Sequence, residues 1–148
     1  MEIFKSSLIL ALLASLFFAG CAISLKLITG TGPHSDIIIW LGVAVIFIGC
    51  IWKFAEGGAF SGSLPLISYS ILGGALWALG MICVIFAFEG RGGHISLVAP
   101  LYNINTIWVM IAGLVFFKEY EKVSVPYALT GSMLIVLGGG ILGFAVRR

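Results

Sequence analysis

The chain has 148 residues, of which 61% are hydrophobic and 9% charged, against about 25% charged in ordinary soluble domains. A mean hydropathy of +1.19 excludes a soluble domain, because a chain this short has no interior large enough to hide so much apolar surface. A net charge of +2, thinly scattered, gives no footprint for nucleic acid.

The charged residues divide the chain into five uncharged apolar runs: Ser6–Leu25, Ile37–Trp52, Leu64–Phe88, Gly92–Phe117 and Val123–Val146. A hydrocarbon core about 30 Å thick takes about 20 helical residues to cross, and four of the runs reach that length. Barrel strands would alternate polar and apolar residues, whereas these runs are apolar on every side. The expectation is an all-α polytopic membrane protein with five transmembrane helices, residues 1–148 forming a single domain.

Lys5, Leu8–Phe18 and Ala19-Gly20-Cys21 also resemble a short secretory signal ending at a lipoprotein-type cysteine. The apolar run continues past Cys21 through Leu25 and four more runs follow, which favours a first span over a cleaved leader. The next gap, Thr29 to Ser35, is rich in helix breakers, and Pro33 suits the start of a helix. The second run is short, so its helix must borrow Asp36 and Lys53 at its ends or thin the bilayer locally. Trp40 and Trp52 near those ends fit an aromatic belt at the interfaces. The longest gap, Lys53 to Ser63, is rich in Gly and Ser, with Pro65 just beyond it, whereas spans three and four are joined by only Glu89 to Gly93, a tight hairpin.

Five spans put the termini on opposite sides, and the Lys and Arg residues that orient a membrane protein are evenly divided. Lys5, Lys53, Lys118 and Lys122 fall with the N-terminus, and Lys26, Arg91, Arg147 and Arg148 with the C-terminus. This balance permits insertion in both orientations, or orientation by a partner. Lys26 and Glu89 close spans that run in the same direction, so both emerge at one membrane edge. They are candidates for an ion pair, with a snorkelling Lys26, a Glu89 that prefers Arg91, or a substrate-attracting Lys26 as alternatives.

Cys21, Cys50 and Cys83 lie inside apolar runs and read as small buried residues; His34 and His94 stand alone near helix starts, without companions at metal-ligand spacing. Gly138 to Gly143 spells G-x-G-x-x-G, but the dinucleotide fingerprint needs a preceding strand and a helix start open to water. Close helix packing through Gly139 and Gly143, and likewise Gly74 and Ala78, is the better reading. No H-E-x-x-H, G-x-S-x-G or P-loop occurs, so neither an enzyme nor a cofactor or metal site is expected.

The polar residues concentrate in span four: Pro100, Tyr102, Asn103, Asn105 and Thr106, ahead of Trp108. Asn103 and Thr106 share a face at i,i+3, and Pro100 frees a carbonyl one turn earlier, which can kink the helix or leave an acceptor for a ligand. Interhelical bonding explains such residues at about 1 kcal/mol each; a substrate cavity at mid-depth explains them equally well. Trp77, near the middle of span three, either packs the core or offers a ring face to a ligand. Candidate substrate-binding residues are therefore Trp77, Tyr102, Asn103, Asn105, Thr106 and Lys26.

From Ala87-Phe88 through Pro100, Leu114-Val115-Phe116-Phe117-Lys118-Glu119, Gly131 and Gly138, with Lys26 after span one, the chain resembles the EamA-like repeat of the drug/metabolite transporter superfamily. Members of that family commonly carry two five-helix repeats in inverted orientation; this chain resembles the single-repeat type, which has to pair. The resemblance implies transport of a small organic metabolite or amphipathic compound across the inner membrane of a cell. It also implies a homodimer, antiparallel if both orientations occur, or pairing with a homologous chain. The four-helix exporters of the superfamily rely on a carboxylate midway along the first helix, and here that region reads Leu13-Ala14-Ser15-Leu16-Phe17. Glu119 matches the acid typical after the fourth helix, a position that suits structure or topology better than transport. A membrane subunit that completes or modulates another protein is the competing expectation.

Overall fold

A computed structural model describes residues 2–57, 62–90 and 93–144. They form α1 (Glu2–Ile28), α2 (His34–Ala55), α3 (Leu64–Glu89), α4 (Ile95–Tyr102), α5 (Asn105–Phe116), a 3-10 turn (Glu119–Glu121) and α6 (Val125–Gly143), with no strand among the described residues. Five segments are long and apolar enough to span a bilayer, the fourth (Ile95–Phe116) comprising α4 and α5 together. The chain is an all-α, multi-pass integral membrane protein. It divides into two compact units, Met1–Glu89 and Gly90–Arg148.

In the first unit each helix runs past its uncharged run and takes in flanking charges. α2 takes in Asp36 in its first turn and Lys53 in its last, the signs that the helix dipole favours. Its 22 residues reach about 33 Å, so the short run is lengthened by its charged flanks. The turn before it is closed by Gly30, whose φ of +82° few other residues adopt, and by the Pro33 carbonyl, which accepts from the N–H groups of Asp36 and Ile37 at 3.1 and 3.4 Å.

The close packing of this unit is gathered at one end. Its buried side chains are Ala22 and Leu25 near the end of α1, Ile37 in the first turn of α2, and Val84, Ile85 and Phe88 near the end of α3. Those positions meet only if α1, α2 and α3 run up, down and up. Elsewhere the three helices carry their Leu, Ile, Phe and Trp side chains outward, as a chain solvated by lipid does.

In the second unit the fourth span is interrupted. Pro100 has no N–H to give the preceding turn, yet the helix continues to Tyr102 and breaks three residues after the proline, at Asn103 and Ile104. Through the break the bonds tighten to an i→i−3 pattern: the Ile104 N–H donates to Leu101 O at 3.2 Å, Thr106 to Asn103 O at 3.1 Å and Ile107 to Ile104 O at 3.0 Å. The Thr106 hydroxyl donates to the same Asn103 carbonyl at 2.8 Å. This local substitution by a short polar side chain keeps the interrupted backbone bonded.

α6 packs against the break through Gly139, which is buried. A methyl group at that position would lie 3.6 Å from the Ile104 side chain and 3.7 Å from the Pro100 carbonyl, whereas at Gly138 and Gly140 it would meet nothing within 4 Å. The G-x-G-x-x-G string therefore lies within a helix, and its second glycine lets two backbones approach. About two turns earlier in α6, the Ser132 hydroxyl donates to Met110 Sδ at 3.0 Å. After α5 the chain reverses at Lys118, the sole non-glycine residue with positive φ among those described (φ +53°). The Glu119 carboxylate folds back over Gly113 so closely that a methyl group there would displace it.

This packing predicts a position-specific response along α6. Gly139→Ala should be accommodated, while Gly139→Leu should overpack the break and destabilise the second unit by about 1–3 kcal/mol. Gly138→Leu should change little. Thermal unfolding in detergent micelles or lipid nanodiscs reads the difference, and equal losses at both glycines would contradict the packing described.

Candidate functional site

Two places in the chain bring chemistry-bearing side chains together. In the second unit, the break at Asn103 and Ile104 lies at the centre of the fourth span, so Tyr102, Asn103, Asn105 and Thr106 sit close to the bilayer midplane. Tyr102 is half-buried and the other three are exposed. The Thr106 hydroxyl is used internally, but the Asn103 and Asn105 amides make no hydrogen bond among the described residues. Two donor-acceptor groups thus stand open at a depth where neither lipid nor the chain's own backbone satisfies them.

Trp77 belongs to the first unit, near the middle of α3, and its ring is 38% exposed. It has no hydrogen bond or ring partner among the described residues.

The second group lies at the packed end of the first unit. Lys26 Nζ donates to the Phe88 carbonyl at 3.0 Å and sits 5.6 Å from the centre of the Phe88 ring. Phe88 O is one of the last carbonyls of α3, which find no N–H within their own helix, so an ammonium there satisfies an orphan acceptor and the negative end of the helix dipole together. The ring face adds a cation–π contact. The expected Lys26–Glu89 ion pair is therefore replaced by a Lys26 cap on Phe88. Glu89 turns to α2 instead: its Oε2 lies 2.8 Å from His34 Nε2, the side chains being 34% and 32% exposed. The His34 ring is stacked on Phe86 at 4.7 Å.

The contact between His34 and Glu89 is close without being a well-directed hydrogen bond. Nε2 is sequestered and has no aligned hydrogen-bond partner, although a carboxylate oxygen stands at ion-pair distance. The contact is an ion pair only when the ring is protonated. His34, which stands alone in the sequence, thus has a carboxylate and an aromatic ring for neighbours. The signal was available: the alternation of spans that brings Glu89 to the edge of Lys26 brings the first residue of α2 there too.

A groove of about 390 Å³ opens beside the turn between α1 and α2, lined by Ile28, Thr31, Pro33, Asp36, Trp40 and Leu41 among others. It contains none of the six candidate residues. Trp40 is 70% exposed. Among the described residues no group of three or more His, Cys, Asp or Glu is placed to hold a metal ion.

The Lys26 cap yields a direct test. Lys26→Met keeps the apolar stem and removes the ammonium, leaving the end of α3 uncapped. It should lower the thermal stability of the protein by about 1–2 kcal/mol. Lys26→Arg, which still donates, should retain most of it. A Met variant as stable as the parent would show that the cap contributes nothing.

Compared with family models, with curated proteins and with solved structures, the chain matches none.

Proposed function

We propose that this chain is a small membrane transporter of the drug/metabolite type, one five-helix repeat that pairs with a second copy to move a small organic metabolite or amphipathic compound. The observation that carries the reading is the broken fourth span, with two unsatisfied amides at mid-depth. Discontinuous helices near the bilayer centre are where transporters expose polar groups to a substrate, and irregular backbone at that depth is tolerated where it lines a cavity or is covered by protein. Amides serving only to tie helices together would have partners across the interface, and within the described chain these have none.

In the second unit Asn103 and Asn105 offer donors and acceptors without charge and Tyr102 a phenol, groups suited to a neutral or amphipathic organic solute; in the first unit, considered by itself, Trp77 offers a ring face. Lys26, engaged on Phe88, contributes a cation close to the same edge as Glu89. The equal division of Lys and Arg between the two sides supports an antiparallel homodimer in the inner membrane, which recreates the inverted repeat on which alternating access depends.

The same open amides also support a second reading, a non-transporting subunit whose partner chain covers them. Flux through liposomes separates the two. Asn103→Leu, Asn105→Leu and Trp77→Ala should each lower uptake of a transported solute about tenfold, the loss of one or so buried hydrogen bonds, with folding and pairing intact. Normal flux in all three, or no flux of any solute in a broad metabolite panel with and without a pH gradient, favours the subunit.

Orientation is tested separately. Reporters fused after Arg148 should give signal from both sides of the membrane, and two lysines added near Glu2 should collapse it to one side. A single orientation in the unmodified chain would overturn the antiparallel homodimer and point to a separate partner chain.

A further inference from the structure

The contact between His34 and Glu89 has a chemical requirement that the rest of the fold does not meet. An imidazole nitrogen and a carboxylate oxygen 2.8 Å apart both present lone pairs unless a proton lies between them. Nε2 therefore has to carry a hydrogen, and a ring protonated at both nitrogens adds an ion-pair attraction that the neutral ring lacks. Of the charged side chains near it, Lys26 on α1 is committed to the Phe88 carbonyl, Asp36 lies in the first turn of α2, and Glu89, which closes α3, is the one in contact. Arg91 follows Glu89 by two residues in the sequence.

The pair is also placed to act mechanically. His34 is the first residue of α2 and Glu89 the last of α3, so their contact fastens one helix start to one helix end, directly beneath the buried Ile37. Histidine is the side chain that ordinarily exchanges its proton between about pH 5 and 8. The sign follows from charge: imidazolium holds Glu89 as an ion pair, whereas the neutral ring offers only a weaker hydrogen bond.

We propose that His34 and Glu89 form a proton-binding latch: one proton taken up at His34 fastens the start of α2 to the end of α3, and its loss frees the start of α2. The proposal goes beyond the transport reading and stands without it.

Hydrogen exchange on the full chain in lipid nanodiscs tests it. The readout is amide protection in the first two turns of α2, corrected for the intrinsic pH dependence of exchange. In the parent, protection should fall about two- to fivefold between about pH 5.5 and 8, the range that a partly exposed ion pair sets. Glu89→Gln and His34→Gln should be weakly protected at every pH. His34→Lys, which keeps its charge, should be protected at every pH. Asp36→Asn and His94→Gln should follow the parent. A parent without pH dependence would overturn the latch, as would a response surviving in Glu89→Gln or one abolished by His94→Gln. Should His34→Gln fail to fold, His34→Lys and Glu89→Gln decide the matter between them.

Discussion

In hydrocarbon a peptide group has no partner except another polar group of the protein, so a spanning helix that interrupts its own ladder has to supply substitutes. Four of the five spans here never face that demand. The fourth does, because Pro100 withholds a donor and the Thr106 hydroxyl after it bonds the helix's own backbone at Asn103. The solution is local. Three i→i−3 bonds and the Thr106 hydroxyl hold the backbone through the break, and Gly139 lets α6 close against it. The two asparagine amides have no hydrogen-bond partner among the described residues, and the functional reading rests on them.

The first unit solves a different problem, that of holding three smooth apolar helices together in a solvent as apolar as they are. The hydrophobic effect gives little here, so association falls to packing and to polar contacts. Both are concentrated at one edge: Leu25, Ile85 and Phe88 are buried together, Lys26 caps the end of α3, and His34 meets Glu89. Polar anchoring at the membrane edge costs less than the same contacts at mid-depth, where each charge would have to leave water entirely. The division of labour is therefore physical: stability is drawn from the edge of one unit, and polarity is left open at the centre of a span in the other.

The number of spans was legible because charges are so expensive in lipid that their spacing alone delimits the helices. The helix ends were less so: α2 runs from His34 to Ala55, since Asp36 and Lys53 lie at positions that the dipole favours. Pro100 signalled a disturbance in span four, but the break falls three residues later, because a proline removes a bond upstream of itself while the competing side chains lie downstream. The edge cluster was half legible. Alternating spans place Lys26 and Glu89 at one edge, but which partner each takes depends on the rotation of the helices about their axes, and run lengths carry no information on that. Lys26 found a carbonyl and Glu89 a histidine.

Whether the amides at the break face a water-filled path or a dry surface is the point on which the account turns. In a chain with Cys21, Cys50 and Cys83 replaced, single cysteines at Asn103 and Asn105 can be offered a membrane-impermeant thiol reagent in sealed vesicles, with Val109→Cys as an exposed apolar control on the same span. The account predicts rapid modification at positions 103 and 105, protection by a transported solute, and an inert control. Cysteines at 103 and 105 as unreactive as the one at 109 would contradict it.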